Sequence, residues 1–288
     1  MRPAMSDRVP PTALVVGGII SVQVGAAIAK NLFGQVPPTA MVWLRLATSA
    51  AFFLVLFRPR LGGRTRTDWL VALAFGLTLC TMNWAIYHSF ARIPLGVAVT
   101  IEFLGPLMVS VVGSRRMLDL VWVVLAGAGV ALLGFSPARL DLLGVGFALL
   151  AGAGWAGYIL ANRQTGRRWS GMSGLVIASW VGVVVLGPPA IIEAGSTLLQ
   201  PKILLLGAAI GLLSSVIPYS LELIALRRMP ARVFGILMSL EPAAAALAAM
   251  LVLREFLQPT QWLALGCVVA ASVGATRTSR QPATVVDG

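Results

Sequence analysis

The chain has 288 residues, of which 58% are hydrophobic and only 11% are charged, and its mean hydropathy is +0.89. Soluble domains carry about 25% charged residues, so this chain lacks the polar side chains that would cover a soluble domain of its size. The composition excludes a soluble enzyme, a disordered chain and a nucleic-acid-binding domain, and it predicts an all-α membrane protein. The net charge of +12 is interpreted as basic residues kept in cytoplasmic loops, with no nucleic-acid partner.

Ten apolar segments are each close to the roughly 20 residues that a helix needs to cross the hydrocarbon layer. Their long continuous runs are unlike the alternating strands of a membrane barrel. The loops between them are short and hold no separate soluble domain. The ten predicted spans cover residues 12–33, 38–57, 69–90, 95–112, 120–135, 141–161, 172–192, 203–226, 233–253 and 260–276.

The basic residues predict how these spans are oriented. With the N-terminus in the cytoplasm, the inside segments hold 16 of the 22 basic residues and the outside loops hold 5, while Arg45 lies within a span. Basic residues are in excess in cytoplasmic loops. Both tails, residues 1–11 and 277–288, are therefore predicted to lie in the cytoplasm.

The two halves of the chain repeat each other weakly. Matching positions, at a nearly constant separation along the chain, are Gly25 with Gly157, Arg92-Ile93-Pro94 with Arg228-Met229-Pro230, Pro106 with Pro242, and Trp122 with Trp262. Each half holds five spans, and because five is odd, the second half enters the membrane from the opposite side. The sequence thus predicts two inverted five-helix repeats, residues 12–136 and 141–276, as in secondary transporters that bind substrate near the membrane midplane.

Ionisable residues inside a span are costly and are functional by default. Glu102 lies near the middle of the fourth span, four residues before Pro106, and Glu241 in the ninth span directly precedes Pro242. A proline leaves the carbonyl one turn earlier without its helical partner, so we expect backbone polarity and a cavity beside both carboxylates. Arg45 in the second span is a further candidate for binding substrate. The alternative for these residues is a structural pair between an acid and an arginine.

The eighth span carries a second, weaker group of candidates. Tyr219 and Glu222 follow Pro218, the third predicted helix break. They are predicted to line the substrate pathway or to take part in proton coupling. The alternative for Glu222 is a salt bridge at the membrane interface with Arg227 or Arg228.

Polar groups also cluster on the third span, as Asn83, Trp84, Tyr87 and His88. Positions 84, 87 and 88 share one helical face and could line a pathway, and Asn83 and Tyr87 are candidates for binding substrate or coupling protons. The alternatives are packing or an aromatic belt for Trp84 and Tyr87, and an interfacial polar residue instead of a proton relay for His88. Lys30 in the first span is interpreted as a lysine that extends its charged head to the interface.

Motifs for catalysis or metal binding are absent from the sequence: it has no P-loop, no GxSxG, no HExxH and no CxxC. The sequence therefore predicts no enzyme activity, no cofactor and no metal site. Transport would be driven by an ion gradient, by exchange or by the gradient of the substrate itself. The spacing Gly207-x-x-x-Gly211 predicts a close contact between two helices.

Seven stretches of the sequence carry a resemblance to known membrane proteins. They are AAIAKNLF (26–33), WLRLA (43–47), IPLGVAVTIEFLGPL (93–107), SRR (114–116), VWVVLA (121–126), PYSLELIAL (218–226) and FGILMSLEPA (234–243). These stretches resemble the EamA family of the drug/metabolite transporter superfamily. The resemblance spans nearly all ten segments in order and is most specific around Glu102 and Glu241, whereas the loop after the sixth span, the seventh span and the C-terminal tail match poorly.

The resemblance implies a multi-pass exporter of the bacterial inner membrane, with two EamA domains, that moves small amino acids such as threonine and homoserine outward against protons. A zwitterionic amino acid needs an anion near its ammonium group, which Glu102 or Glu241 could supply, and a donor near its carboxylate. Arg45, Asn83 or the N-terminus of a broken helix could supply that donor. Two alternatives are an EamA-type exporter of another metabolite or drug and, more distantly, a membrane enzyme acting on a lipid-linked substrate. The sequence leaves a homodimer open.

Overall fold

A computed structural model describes residues 9–59, 61–112, 117–134, 140–169 and 172–278 of the chain. These residues are almost entirely helical, form ten helices and contain no strand, which confirms the predicted all-α fold. In chain order the helices are α1 (Pro11–Asn31), α2 (Pro38–Phe57), α3 (Arg66–Phe90), α4 (Leu95–Val112), α5 (Met117–Leu133), α6 (Leu142–Arg168), α7 (Ser173–Leu199), α8 (Pro201–Leu226), α9 (Ala231–Leu253) and α10 (Pro259–Thr278).

Eight of the described helices, all except α5 and α10, are long and apolar enough to cross a membrane. The apolar part of α5, Asp119–Leu133, is shorter than a usual crossing, and α5 packs against α10. The predicted bounds are close to those observed except in α6, which ends at Arg168 instead of at residue 161, and in α7, whose final 3₁₀ turn, Gly195–Leu199, extends it beyond residue 192. Arginine and glutamine are good helix formers, so the helix continues beyond its apolar segment, and Arg163 lies in the helix instead of in a loop. Most of both predicted tails lies outside the described residues.

The interruptions of α4 and α9 lie next to predicted helix-breaking prolines. The first half of α4 ends before Phe103, three residues ahead of Pro106. In α9 the helix is interrupted at Ser239 and Leu240, and its next segment begins just before Pro242. Because proline has no N–H for the carbonyl four residues earlier, each helix loosens on the N-terminal side of its proline. The two interruptions are separated along the chain by the same interval as the two prolines, in agreement with the sequence repeat.

Small residues allow α6 to approach its neighbours closely. A Cβ atom at Gly152 would lie 2.8 Å from the carbonyl oxygen of Glu102, and one at Gly154 would lie 2.9 Å from the backbone nitrogen of Met82. At Gly157 the backbone lies against the third helix as well. The glycine cluster therefore brings α6 into backbone contact with α3 and α4, because no side chain separates them.

The helix pairings occur in matched sets. Helix α3 packs against α6 and α7, and α8 packs correspondingly against α1 and α2. Helix α2 also packs against α7, and α5 packs against α10. These are the pairings expected when α1–α5 and α6–α10 are two copies of one arrangement.

The connections between helices alternate between two ends of the bundle. At one end Arg168 Nη1 lies 3.1 Å from Asp68 Oδ1, joining the end of α6 to the start of α3. At the other end Lys30 Nζ lies 2.5 Å from Glu255 Oε1, joining the end of α1 to the segment before α10. Arg168, predicted for the inside, and Lys30, predicted for the outside, thus lie at opposite ends of the bundle, and which end faces the cytoplasm stays a prediction.

Candidate functional site

The guanidinium group of Arg45 lies inside the bundle, where α2, α3 and α8 meet. Arg45 is 7% exposed, and its Nε donates a hydrogen bond to Ser215 Oγ at 3.0 Å. Its Nη2 donates to the carbonyl oxygen of Ser214 at 3.0 Å, and its Nη1 donates to Tyr87 Oη at 3.4 Å. All three acceptors are neutral, and no ion pair joins Arg45 to a carboxylate of the described residues. Since a guanidinium has five N–H donors, two remain for an anionic group.

The acceptors on α8 are available because of Pro218. The α-helical partner of the Ser214 carbonyl would be the N–H of residue 218, which a proline lacks. At this point α8 forms a π-helical turn, Leu212–Val216, so the regular ladder is interrupted. Arg45 donates a hydrogen bond to the Ser214 carbonyl, which Pro218 leaves without its α-helical partner. This is the backbone polarity that the sequence predicts next to an intramembrane proline.

Two glycines bring α2 and α8 close enough for these bonds. A Cβ atom at Gly207 would lie 2.8 Å from Leu44 Cβ, and one at Gly211 would lie 2.7 Å from Thr48 Cβ. The contact confirms the close packing predicted from the Gly207-x-x-x-Gly211 spacing. Positions 207, 211 and 215 recur at every fourth position and share one face of the helix. The same face of α8 therefore supplies the close contact and the hydroxyl group that Arg45 binds.

Both mid-span glutamates are buried at helix interruptions. Glu102 is the last residue before the interruption of α4, Glu241 is the first residue of the segment after that of α9, and each is 8% exposed. Within the described part of the chain, neither carboxyl group accepts a hydrogen bond or forms an ion pair. Their charges interact with each other, and the charge of Glu102 also interacts with that of Arg45. The alternative of a direct acid–arginine pair is thus not formed by these two glutamates.

A cavity of about 170 Å³ opens where the end of α6, the start of α7 and the end of α8 meet. Its polar lining consists of Tyr158, Asn162 and Thr165 from α6 and Tyr219 and Glu222 from α8. The rest of the wall is largely apolar, and a few polar groups in an apolar wall are typical of a small-molecule pocket. The cavity lies at the same end of the bundle as the pair between α3 and α6.

Glu222 connects this cavity to the buried acids. Its carboxyl group lies within electrostatic range of that of Glu241, and Tyr219, whose phenol is neutral, lies beside it in the wall of the cavity. No ion pair joins Glu222 to a basic residue of the described chain, so the predicted alternative of an interfacial salt bridge is not formed. Three carboxyl groups and one guanidinium therefore share one electrostatic environment, extending from the cavity into the bundle.

Two polar residues have partners that the sequence did not predict. Asn83 is buried, but its Nδ2 donates to the carbonyl oxygen of Leu79 at 2.7 Å, so one of its two donors is used within its own helix. Lys30 does not extend alone to the interface, because it pairs with Glu255 and donates to the carbonyl oxygen of Ile93 at 2.8 Å. Of the candidates on the third span, the structure brings Tyr87 to Arg45.

Several residues of this site are not predicted from the sequence. Ser214 and Ser215 have no feature that distinguishes them from other intramembrane serines. The one available signal is that Ser214 lies four residues before Pro218, so its carbonyl lacks the usual helical N–H partner. Tyr158 and Asn162 are spaced by four positions on α6 and share a helical face, but Asn162 lies just beyond the predicted end of the span at residue 161. No group of three or more metal-ligating side chains occurs among the described residues.

Comparisons with known proteins agree with this architecture. Residues 142–277 match the model of the EamA-like transporter family. The threonine/homoserine exporter RhtA of Escherichia coli strain K12 is 41% identical over 274 residues, covering 94% of this chain and 92% of that protein. The protein of the same name from Salmonella typhimurium strain LT2 is 40% identical over 285 residues, covering 97% and 96%.

More distant matches extend the comparison to other organisms and to solved structures. The uncharacterized transporter YwfM of Bacillus subtilis strain 168 is 28% identical over 213 residues, covering 70% of this chain and 72% of that protein. A solved crystal structure has the same fold, with a TM-score of 0.65 at 18% sequence identity, covering 93% of this chain and 98% of the other. From the identity to the two exporters over nearly the whole chain, this protein belongs to the EamA-like transporter family.

Proposed function

We propose that this protein exports small zwitterionic amino acids, threonine and homoserine, across the bacterial inner membrane by proton antiport. The two relatives named as threonine/homoserine exporters are 40–41% identical over more than nine-tenths of the chain, which supports the substrate class. The observation that carries the binding mode is the buried Arg45, whose hydrogen bonds all go to neutral oxygens.

Arg45 binds the substrate carboxylate in this proposal. After its three hydrogen bonds within the protein, Arg45 keeps one N–H on Nη1 and one on Nη2. These two donors match the two oxygens of a carboxylate. The ammonium group then lies toward Glu102 or Glu241, whose carboxyl groups have no partner among the described residues. An amino acid fills both requirements, because it carries one charge of each sign.

The charges of the site support the coupling to protons. Three buried or half-buried carboxyl groups, those of Glu102, Glu222 and Glu241, share their environment with the single guanidinium of Arg45. Buried like charges repel each other, and an unpaired buried charge is costly. A proton or a substrate ammonium group therefore reduces the excess of negative charge. Competition between the two for the same carboxylates would produce antiport.

The fold offers a route for alternating access. Residues 12–136 and 141–276 act in this proposal as two inverted repeats, and the site lies between them, as in other secondary transporters. The cavity beside Tyr219 and Glu222 is the entrance from the cytoplasm, and both termini lie on that side. The basic residues of the loops support this orientation.

The test is export from a host that lacks its own threonine and homoserine exporters. Cells that express this protein should keep lower intracellular concentrations of both amino acids and release more of each into the medium than cells that carry an empty vector. Arg45→Gln should abolish the difference although the protein is still made. Unchanged amino-acid concentrations together with export of a cationic dye would replace this proposal with a drug exporter on the same fold.

A further inference from the structure

We infer that Ser215 is a positioning residue for substrate binding: its hydroxyl group, together with the carbonyl of Ser214, fixes the plane of the Arg45 guanidinium for the substrate carboxylate. The inference rests on the proposed role of Arg45 in binding that carboxylate. It adds a residue on α8 that acts through Arg45 without touching the substrate itself.

The two bonds from α8 hold one edge of the guanidinium. Nε and Nη2 lie on the same edge of this planar group, and they donate to Ser215 Oγ and to the Ser214 carbonyl, each at 3.0 Å. Two anchors on one edge define the plane of the group and restrict its rotation, which a single contact would not do. The contact with Tyr87 Oη is longer, at 3.4 Å, and involves Nη1 only. The two N–H groups that make no bond within the protein, one on Nη1 and one on Nη2, therefore point in a fixed direction.

The two anchors on α8 are neutral and do not pair with the charge of Arg45. An aspartate or glutamate at position 215 would also orient the guanidinium, but it would neutralise it and compete with the substrate carboxylate. A serine hydroxyl accepts the hydrogen bond as a neutral group. The hydrogen bond to Ser215 thus fixes the orientation of the guanidinium and leaves its positive charge available to an anion. A residue that binds substrate in one step of transport and releases it in the next needs both properties.

Of the two contacts from α8 to Arg45, only the one made by Ser215 can be removed by mutating a side chain. The Ser214 contact is made by the backbone and is set by Pro218, whereas Ser215 contributes through its side chain alone. Ser215 is 2% exposed, so water does not readily replace the lost hydroxyl. Loss of a hydrogen bond to a charged group is expected to weaken the orientation of Arg45 and to raise the KM for threonine about tenfold.

The experiment measures exchange of labelled threonine in proteoliposomes for the wild type and for Ser215→Ala, Ser215→Thr and Ser220→Ala. Ser220 is the matched control, because it lies on the same helix and its hydroxyl donates only to the carbonyl oxygen of Val216 at 2.7 Å. Ser215→Ala should raise KM about tenfold with kcat changed less than about twofold. Ser215→Thr, which restores the hydroxyl group, should return KM to near the wild-type value, and Ser220→Ala should leave both constants unchanged.

The results separate this inference from the proposed function. If Arg45→Gln leaves threonine KM unchanged, the role of Arg45 itself is wrong. If Arg45→Gln loses binding but Ser215→Ala keeps the wild-type KM, or lowers kcat alone, or is not rescued by threonine, Ser215 does not position Arg45. Should Ser215→Ala give too little folded protein, Ser215→Cys keeps the size of the side chain with a weak acceptor and is expected to show the same rise in KM.

Discussion

Gly25 of α1 lies directly against the side chain of Ser214 of α8, because the glycine adds no side chain of its own to this crossing of the two helices. An equivalent contact occurs between α6 and α3, where a Cβ atom at Gly157 would lie 2.9 Å from Thr78 Cγ2. Gly25 and Gly157 are matched positions of the sequence repeat. Thr78 and Ser214 are separated along the chain by the same interval as the repeated prolines of α4 and α9. This paired contact supports the proposal that the two halves of the chain are inverted repeats.

The glutamates provide the first prediction, which tests the mechanism. Glu102→Gln and Glu241→Gln keep the shape and hydrogen bonding of each side chain but remove the group that can release a proton. If a glutamate carries the coupled proton, its variant should lose efflux driven by a pH gradient and keep threonine exchange. If it binds the substrate ammonium group, both activities should fall together. The measurement is paired efflux and exchange of labelled threonine at several pH values.

The matched control for the glutamates is Glu193→Gln. Glu193 is an exposed carboxylate at one end of the bundle that accepts a hydrogen bond from Thr39 Oγ1 at 3.1 Å. It should retain both activities and the wild-type pH dependence. Wild-type rates and pH dependence in both the Glu102 and the Glu241 variants would show that these carboxyl groups are structural.

The second prediction concerns the contact between α2 and α8. A Cβ atom at Gly211 would lie 2.7 Å from Thr48 Cβ and 3.1 Å from the carbonyl oxygen of Arg45. Gly211→Leu should therefore separate the two helices and reduce the yield of folded protein in detergent by more than half. Gly266→Leu on α10 is the control, because no atom lies within 4 Å of the added Cβ there. Equal yields and equal transport by the two variants would contradict the assigned contact.

The third prediction concerns topology. Reporter fusions after Arg66 and after Arg168 should report a cytoplasmic location, because the two positions lie at the end of the bundle that gathers most basic residues. A fusion near Arg139, which lies outside the described residues, should report an external location. A cytoplasmic signal at Arg139 would contradict both the predicted orientation and the inverted repeat.

The fourth prediction concerns the pair of Lys30 and Glu255. The side chains are 16% and 24% exposed, and Glu255 Oε2 also accepts a hydrogen bond from the backbone nitrogen of Leu95 at 3.0 Å. Lys30→Met and Glu255→Gln should each lower the free energy of unfolding in detergent by about 1–3 kcal/mol, because each leaves a largely buried polar partner without its match. The double variant should lose less than the sum of the two.

Such coupling is the sign of a direct interaction in a double-mutant cycle. Lys202→Met is a suitable control for the loss of a lysine charge, since Lys202 forms no ion pair in the described part of the chain. Strictly additive effects of the Lys30 and Glu255 variants would show that the pair contributes no stability of its own.

The sequence by itself determines the class of the protein and the number of helices, and it points to three of the helix breaks, although Pro188 and Pro189 lie inside α7 without interrupting it. The thickness of the hydrocarbon layer sets the length of an apolar segment, so spans are visible without knowledge of their neighbours. A proline acts on the carbonyl four residues earlier in its own helix, so the interruptions beside Pro106, Pro218 and Pro242 also follow from local chemistry. The same local reasoning identifies Glu102 and Glu241, because a carboxyl group inside an apolar segment is costly wherever the helix lies.

Only the tertiary structure decides which of these groups meet. The rotation of each helix about its axis depends on the close contacts of glycines such as Gly211, and this rotation turns Arg45 toward Ser215 and Tyr87. Asn83 uses one amide donor on its own helix, and Lys30 finds its partner in Glu255 near the other end of the chain; neither outcome is encoded in the pattern around the residue. Helix rotation and pairing between distant segments are properties of the packed bundle, because an apolar helix surface in lipid has no preferred partner until small residues allow one backbone to approach another.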